Sequence, residues 1–285
     1  MNSLKKLVPF MSLIASYYDN ISKNYYNTAD IFGVLSQSCH TAAQQALGSE
    51  LLSHPHHLRI LDLGVGDGTF LKLMHQNIPN AELTGIDVSK EMLKIAQLQV
   101  PFHSIQCSAA DADKHLPIHS QDLIIAHFIS AYVPVRILFQ QAKTMSKANG
   151  YFSFVTSTYE SFPESQTQIA NFVAQDTLIG NLVGHYYKSI LSRTPVASGM
   201  DEIHQLIEEF DFKLVHHQRI EIPIYFEDIE KLTEYAIHGG WFFNLLPETS
   251  FAKDFILERI KRFVARILKF PHRDTQVIDV LLLKK

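Results

Sequence analysis

Leu58-Arg-Ile-Leu-Asp62-Leu-Gly64-Val-Gly66-Asp-Gly68-Thr69 is the stretch whose reading decides the fold. Its first half is a tight apolar run of strand length, as expected of a strand buried on both faces of a parallel sheet. Its second half places three glycines where a chain leaves a strand and opens a helix. Glycines at such a turn let the backbone take positive φ and approach a ligand closely. A glycine-rich turn alone is weak evidence. The spacing here is Gly-x-Gly-x-Gly, and Thr69 stands where a dinucleotide fold wants a further Gly or Ala, which counts against a pyrophosphate cofactor.

Working outward, Ala81 to Ile86 read as a second strand closed by Asp87, 19 residues beyond Gly68. A carboxylate at the end of that strand can accept hydrogen bonds from both hydroxyls of a ribose. Ser89 caps the next helix, whose apolar face is Met92, Leu93, Ile95 and Ala96. Further strands are expected at Phe102 to Cys107, Leu123 to Ala126 and Tyr151 to Thr156, with a helix around Val135 to Met145. Strands alternating with helices at this spacing predict βαβ units. The expected fold class is α/β: a Rossmann-like, seven-stranded, mostly parallel sheet with helices on both faces and a helical cap. Residues 159–200 and 227–270 break the rhythm and read as helical or irregular, the second broken by Pro247. Phe212 to Ile222 and Thr275 to Leu283 supply the last strands. The division is then N-terminal cap helices at 1–50, a cofactor-binding core at 51–158, a cap insertion at 159–200, core again at 201–226, a second cap insertion at 227–270, and the closing strand at 271–285.

The glycine loop, the acid and their spacing resemble the class I S-adenosylmethionine-dependent methyltransferases, especially those acting on small molecules. The resemblance covers roughly residues 15–157, and the last two strands more loosely. It implies S-adenosyl-L-methionine as cofactor. Asp62 would face the cofactor ammonium, Gly64, Gly66 and Gly68 would permit close backbone approach, and Asp87, followed by Val88, would hold the ribose. Asp111-Ala112 is the best match to an Asp-Ala pair that contacts adenine, with Asp113 competing for the role. The following Leu116-Pro117 falls one residue later than the common pattern. Tyr18 to Tyr25 resembles a segment that packs over the cofactor. The two tyrosines are seven apart, so one helix would present both on a face, although plain core packing serves that spacing as well.

Methyl transfer is an in-line displacement that needs alignment and exclusion of water, and a base only when the nucleophile starts protonated. His127, after the fourth strand, is the candidate base, against a histidine bonded to nearby backbone. Tyr132 and Trp241 are candidates for an acceptor pocket, against a core role. The run His54-Pro-His-His57 reads as a polar break rather than a metal site, and no metal is expected. His216 and His217 alternate along a strand and face opposite ways. Phe251 to Phe270 carry an apolar face (Ile256, Ile260, Phe263, Val264, Ile267) and a basic one (Lys253, Arg262, Arg266, Lys269). A helix packed over the acceptor pocket is the plainer reading of this pattern, a membrane-surface helix the sharper one.

Composition bounds the partners. The chain has 285 residues, 46% of them apolar, two cysteines and a net charge of −4. The basic surplus of a nucleic-acid binder is missing. Two cysteines build no disulfide framework. Lys5-Lys6 before Leu7 to Ala15 faintly suggest a signal peptide, but Pro9 interrupts the run and no small-x-small cleavage pattern follows. The expectation is a cytoplasmic enzyme with a small-molecule acceptor, no nucleic acid and no membrane insertion, with a homodimer left open. Methylation of RNA or protein, and a non-catalytic module that binds the cofactor or a partner, are the alternatives.

Overall fold

The computed structural model describes residues 4–22, 25, 29–51, 57–191, 195–238 and 253–285. Seven strands form one sheet: β1 (Arg59–Leu63), β2 (Glu82–Asp87), β3 (His103–Gln106), β4 (Gln121–His127), β5 (Ser146–Thr156), β6 (Lys213–Phe226) and β7 (His272–Lys284). Their order is β3-β2-β1-β4-β5-β7-β6. The first five are parallel, and β7 inserts antiparallel between β5 and β6. The winding direction reverses between β1 and β4. The glycine turn after β1 therefore opens at the crevice where such sheets bind ligands, outside the carboxyl ends of the strands.

Two apolar layers hold the helices on. Alternate side chains of the strands, including Ile60, Ile125, Val155 and Val280, pack against α2 (Ala29–Leu51), α3 (Thr69–Asn77) and α4 (Lys90–Gln99). The opposite set, including Leu61, Ile124, Phe152 and Leu281, packs against α5 (Val135–Met145) and α8 (Met200–Glu209). Helix α2 meets the sheet through Cys39, Ala43, Ala46 and Leu47, a helical stripe of mostly small residues that allows close approach. On the other face Phe139 meets Phe152, Phe154 and Phe212 at ring-centroid distances of 5.4, 5.6 and 6.1 Å.

The N-terminal stretch forms two helices, α1 (Leu4–Ile21), which runs through Pro9, and α2. Ser22 bonds back from its hydroxyl to the Asp19 carbonyl at the end of α1, the local competition that ends helices. Tyr25 lies in a turn beyond that end, so a shared helical face is not what relates it to Tyr18. Strand β6 continues past Ile222 through Pro223. It lies at the edge of the sheet, where a residue without an N–H is tolerated. Residues 159–200 include α6 (Pro163–Val173) and α7 (Leu178–Leu191), and residues 227–270 include α9 (Ile229–His238) and α10 (Lys253–Ile267). Pro247 and Trp241 lie outside the described residues.

Phe139 is fully buried within its aromatic group. Phe139→Ala is expected to lower unfolding free energy by about 3–5 kcal/mol, read as a lower urea midpoint at unchanged slope. A change below about 1 kcal/mol would mean this layer does not carry the fold.

Candidate functional site

The turn after β1 sets the geometry. Gly66 has φ +56, and a Cβ there would meet nothing closer than 3.9 Å. The space above this residue is therefore open to a ligand. Gly64 and Gly68 also have positive φ, +84 and +82, and are close-packed as well. A Cβ on Gly64 would lie 2.5 Å from Ile129 Cδ1, and one on Gly68 would lie 2.9 Å from Ala96 Cβ on α4. Gly64 and Gly66 border a cavity at this edge of the sheet, whereas Gly68 spaces α3 against α4 and does not line it.

Asp87 ends β2 beside the turn. Its Oδ2 accepts the Gly66 N–H at 3.0 Å and its Oδ1 accepts the Ser89 N–H at 2.8 Å. Burial pushes its carboxyl up to about 6, while the bonds from Ser89, Gly66 and Val88 pull it back down. Asp62, 4% exposed at the end of β1, is pushed up to about 8 by burial and then by Asp87 and Asp67. A fourth acid arrives from α1. Asp19 Oδ1 accepts the Ser89 hydroxyl at 2.6 Å and the Glu91 N–H at 3.2 Å, at the N-terminus of α4. Four carboxyl groups thus gather where β1 and β2 end. Among the described residues that line the cavity there is no lysine or arginine.

The rest of the wall is mostly apolar and aromatic. Val88 and Met92 form one side, Cys107, Ser108 and Ala109 another, and Ile129 and Tyr132 come from the segment after β4. Ile14, Tyr18 and Tyr25 close the remaining side. The Tyr18 hydroxyl donates to the Tyr132 hydroxyl at 2.6 Å. The Tyr18 ring meets Tyr132 and Tyr25 edge-on, at 5.5 and 5.6 Å between centroids.

Of the residues singled out from sequence, Tyr18, Tyr25, Gly64, Gly66, Asp87, Val88, His127 and Tyr132 border this one cavity. Asp62 lies buried beneath it. Asp111 and Ala112 are placed elsewhere. They sit on a short 3-10 turn, Ala109–Lys114, where Asp111 pairs with Lys114 at 2.5 Å at the surface and Ala112 is packed in the α5 layer. Asp113 Oδ1 accepts from Gln141. The wall at this edge is Ser108 and Ala109, which the sequence reading passed over. Ser108 caps the turn by accepting the Ala110 N–H, and a serine before a run of small and acidic residues was the available signal.

His127 touches the cavity, but its ring lies toward α2 and α3. Its Nε2 is 2.9 Å from Ser153 Oγ, and the ring sits 4.3 Å from Phe70 and 5.8 Å from His40 between centroids. Among the described residues its buried Nδ1 has no hydrogen-bond partner. Burial holds this imidazole well below its usual range and lowers His40 to about 4, so both rings are neutral at pH 7. Such a ring takes up a proton poorly. His217 bonds Asp279 at 2.8 Å on one sheet face, and His216 lies on the other, paired with Leu282. His54 and His56 lie outside the described residues.

Comparison with known proteins places these features. Residues 60–150 match the family model described as a methyltransferase domain. The trans-aconitate 2-methyltransferase of Yersinia pseudotuberculosis serotype O:1b (strain IP 31758) is 41% identical over 70 residues, 24% of this chain and 26% of that protein. The trans-aconitate 2-methyltransferase of Enterobacter sp. (strain 638) is 38% identical over 77 residues, 26% of this chain and 29% of that one. The matched stretch thus spans about a quarter of those curated relatives. Among solved structures, a mycolic acid cyclopropane synthase complexed with SAH and CTAB is similar in fold, with a TM-score of 0.56 and 12% identity, over 96% of this chain and 98% of that one. The YcgJ protein of Bacillus subtilis is similar with a TM-score of 0.50 and 15% identity, over 85% and 98%. Residues 60–150, which hold the glycine turn, the reversal of winding and the acid closing β2, are thus similar to a methyltransferase domain.

Proposed function

We propose that the chain binds S-adenosylmethionine in this cavity and transfers its methyl group to a small-molecule acceptor. The observation that carries this reading is the grouping of Asp19, Asp62, Asp67 and Asp87 around an open glycine turn, with no lysine or arginine among the described lining residues. Buried carboxyl groups favour a cation and repel a pyrophosphate. S-adenosylmethionine carries an ammonium and a sulfonium, and it supplies an activated methyl group when bound. In this reading Asp87 accepts the ribose hydroxyls, Asp62 faces the ammonium, and Gly66 gives the close backbone approach. Val88, Met92, Ser108 and Ala109 flank the base. Tyr18 and Tyr25 close the roof and keep water away from the reacting atoms. The core comprises 51–158, 201–226 and 271–285, and the segments 1–50, 159–200 and 227–270 serve as cap. The Tyr17 hydroxyl donates to the Ile237 carbonyl, which ties α1 to α9 across that cap. No helix among the described residues is long and apolar enough to cross a membrane. A cytoplasmic enzyme acting on a soluble acceptor fits this reading.

Three outcomes follow. Asp87→Ala should weaken S-adenosylhomocysteine binding by on the order of a hundredfold, through loss of two hydrogen bonds to a charged group, about 1.5–3 kcal/mol each. Calorimetry on a folded variant with native affinity would remove Asp87 from the ribose site.

The second concerns pH. In the free chain the Asp62 carboxyl holds its proton up to about pH 8, and a bound ammonium favours the ionised form. Binding should therefore release a proton. Affinity should rise as pH increases from 6 toward 8, by at most about tenfold per unit for one proton. Asp62→Asn should flatten this dependence, and a native slope in that variant would assign the proton to another group.

The third concerns the cap. Cofactor product should slow amide hydrogen exchange in α1, and an acceptor should extend protection into α6, α7 and α9. Exchange in α1 that ignores the product would leave it as scaffold only.

A further inference from the structure

Resting on the reading above, we infer that the acceptor is a neutral nitrogen or sulfur nucleophile on an apolar framework, and that Tyr18, Tyr25 and Tyr132 form the subsite that shelters the positive charge it acquires. The argument starts from what the wall can and cannot serve. An anionic acceptor needs a cation beside it, and the described lining holds the Asp87 carboxyl and no lysine or arginine. An alcohol or ammonium acceptor needs a base. Tyr132 is pushed up to about 12 and Tyr18 well above its ordinary value, chiefly by burial, and their hydroxyls are bonded to one another. Cys107 is pushed up to about 11, mainly by burial. The ring of His127 turns to Ser153 between Phe70 and His40, and Asp87 is engaged by Gly66 and Ser89. A lone pair that needs neither a cation to neutralise it nor a base to free it suits these surroundings.

The step balances. The acceptor's lone pair forms the new bond to the methyl carbon. The bond from that carbon to the departing sulfur breaks with its electron pair, and the unit of positive charge passes to the acceptor. If the acceptor nitrogen carried a hydrogen, that proton leaves later to water. Three aromatic rings, with Tyr18 in edge contact with both others, border the same cavity as the Asp87 carboxyl and favour a cation there, because ring faces and carboxylates both attract positive charge. The apolar remainder of the wall, Ile14, Ile129 and Val133, fits an uncharged framework.

The test uses the whole chain with S-adenosylhomocysteine bound, and three probes: phenyltrimethylammonium, its uncharged isostere tert-butylbenzene, and trans-aconitate. The ammonium should bind at least about tenfold more tightly than the isostere, and trans-aconitate should not bind. Tyr132→Leu should abolish the preference for the ammonium while keeping the thermal shift from S-adenosylhomocysteine, and Tyr132→Phe should retain it. Equal affinity for the two isosteres, tighter binding of trans-aconitate, or an unchanged preference in Tyr132→Leu would each overturn the inference. Absence of any shift with S-adenosylhomocysteine would instead overturn the cofactor reading on which it stands.

Discussion

One carboxylate organises this end of the molecule. Asp87 closes β2 and holds the Gly66 and Ser89 amides, one with each oxygen. The first bond fixes the turn after β1, and the second sets the start of α4. Ser89 in turn caps α4 through Met92 and donates to Asp19, which brings in α1. Two strand ends, a helix start and the N-terminal helix are thereby referred to a single side chain. Its burial carries an electrostatic cost that the two amides only partly offset. That cost is tolerable where a ligand's own hydrogen bonds and positive charge complete the compensation.

The acids around it extend the same logic. A carboxyl such as Asp62, whose native pKa is raised, costs the folded chain stability as pH climbs from its ordinary range through about 8. A bound cation removes part of that cost. Under the proposed function this cost lies where the cofactor would bind, above two well-filled apolar layers that hold the edge of the sheet in place.

What the sequence disclosed follows from which forces leave a local trace. The doubly buried strand β1 writes a continuous apolar run, and the turn after it demands glycine, so the fold class, the glycine turn and the place of Asp87 at the end of β2 could be read directly. Asp111 could not be placed that way. Whether it or Ser108 borders the cavity depends on how tightly the chain turns after β3, and the 3-10 turn there rotates Asp111 toward Lys114. His127 was placed at the right edge, but its ring direction depends on Phe70 and His40, brought there from two other helices. Tyr25 reaches Tyr18 across a break between helices that the apolar periodicity did not reveal. Each of these depends on tertiary contact, which leaves no local signature in one sequence.

The two margins of the sheet bear on how the chain behaves in a crowded solution. An open strand edge is a template for pairing with other chains, and natural proteins blunt such edges. Here β3 is only four residues long. The outer strand β6 is long, but it carries Arg219 and Glu221 and has Pro223, which offers no N–H to a neighbour. Both margins resist accretion of further strands. Strand-to-strand aggregation is thereby discouraged at both ends of the sheet.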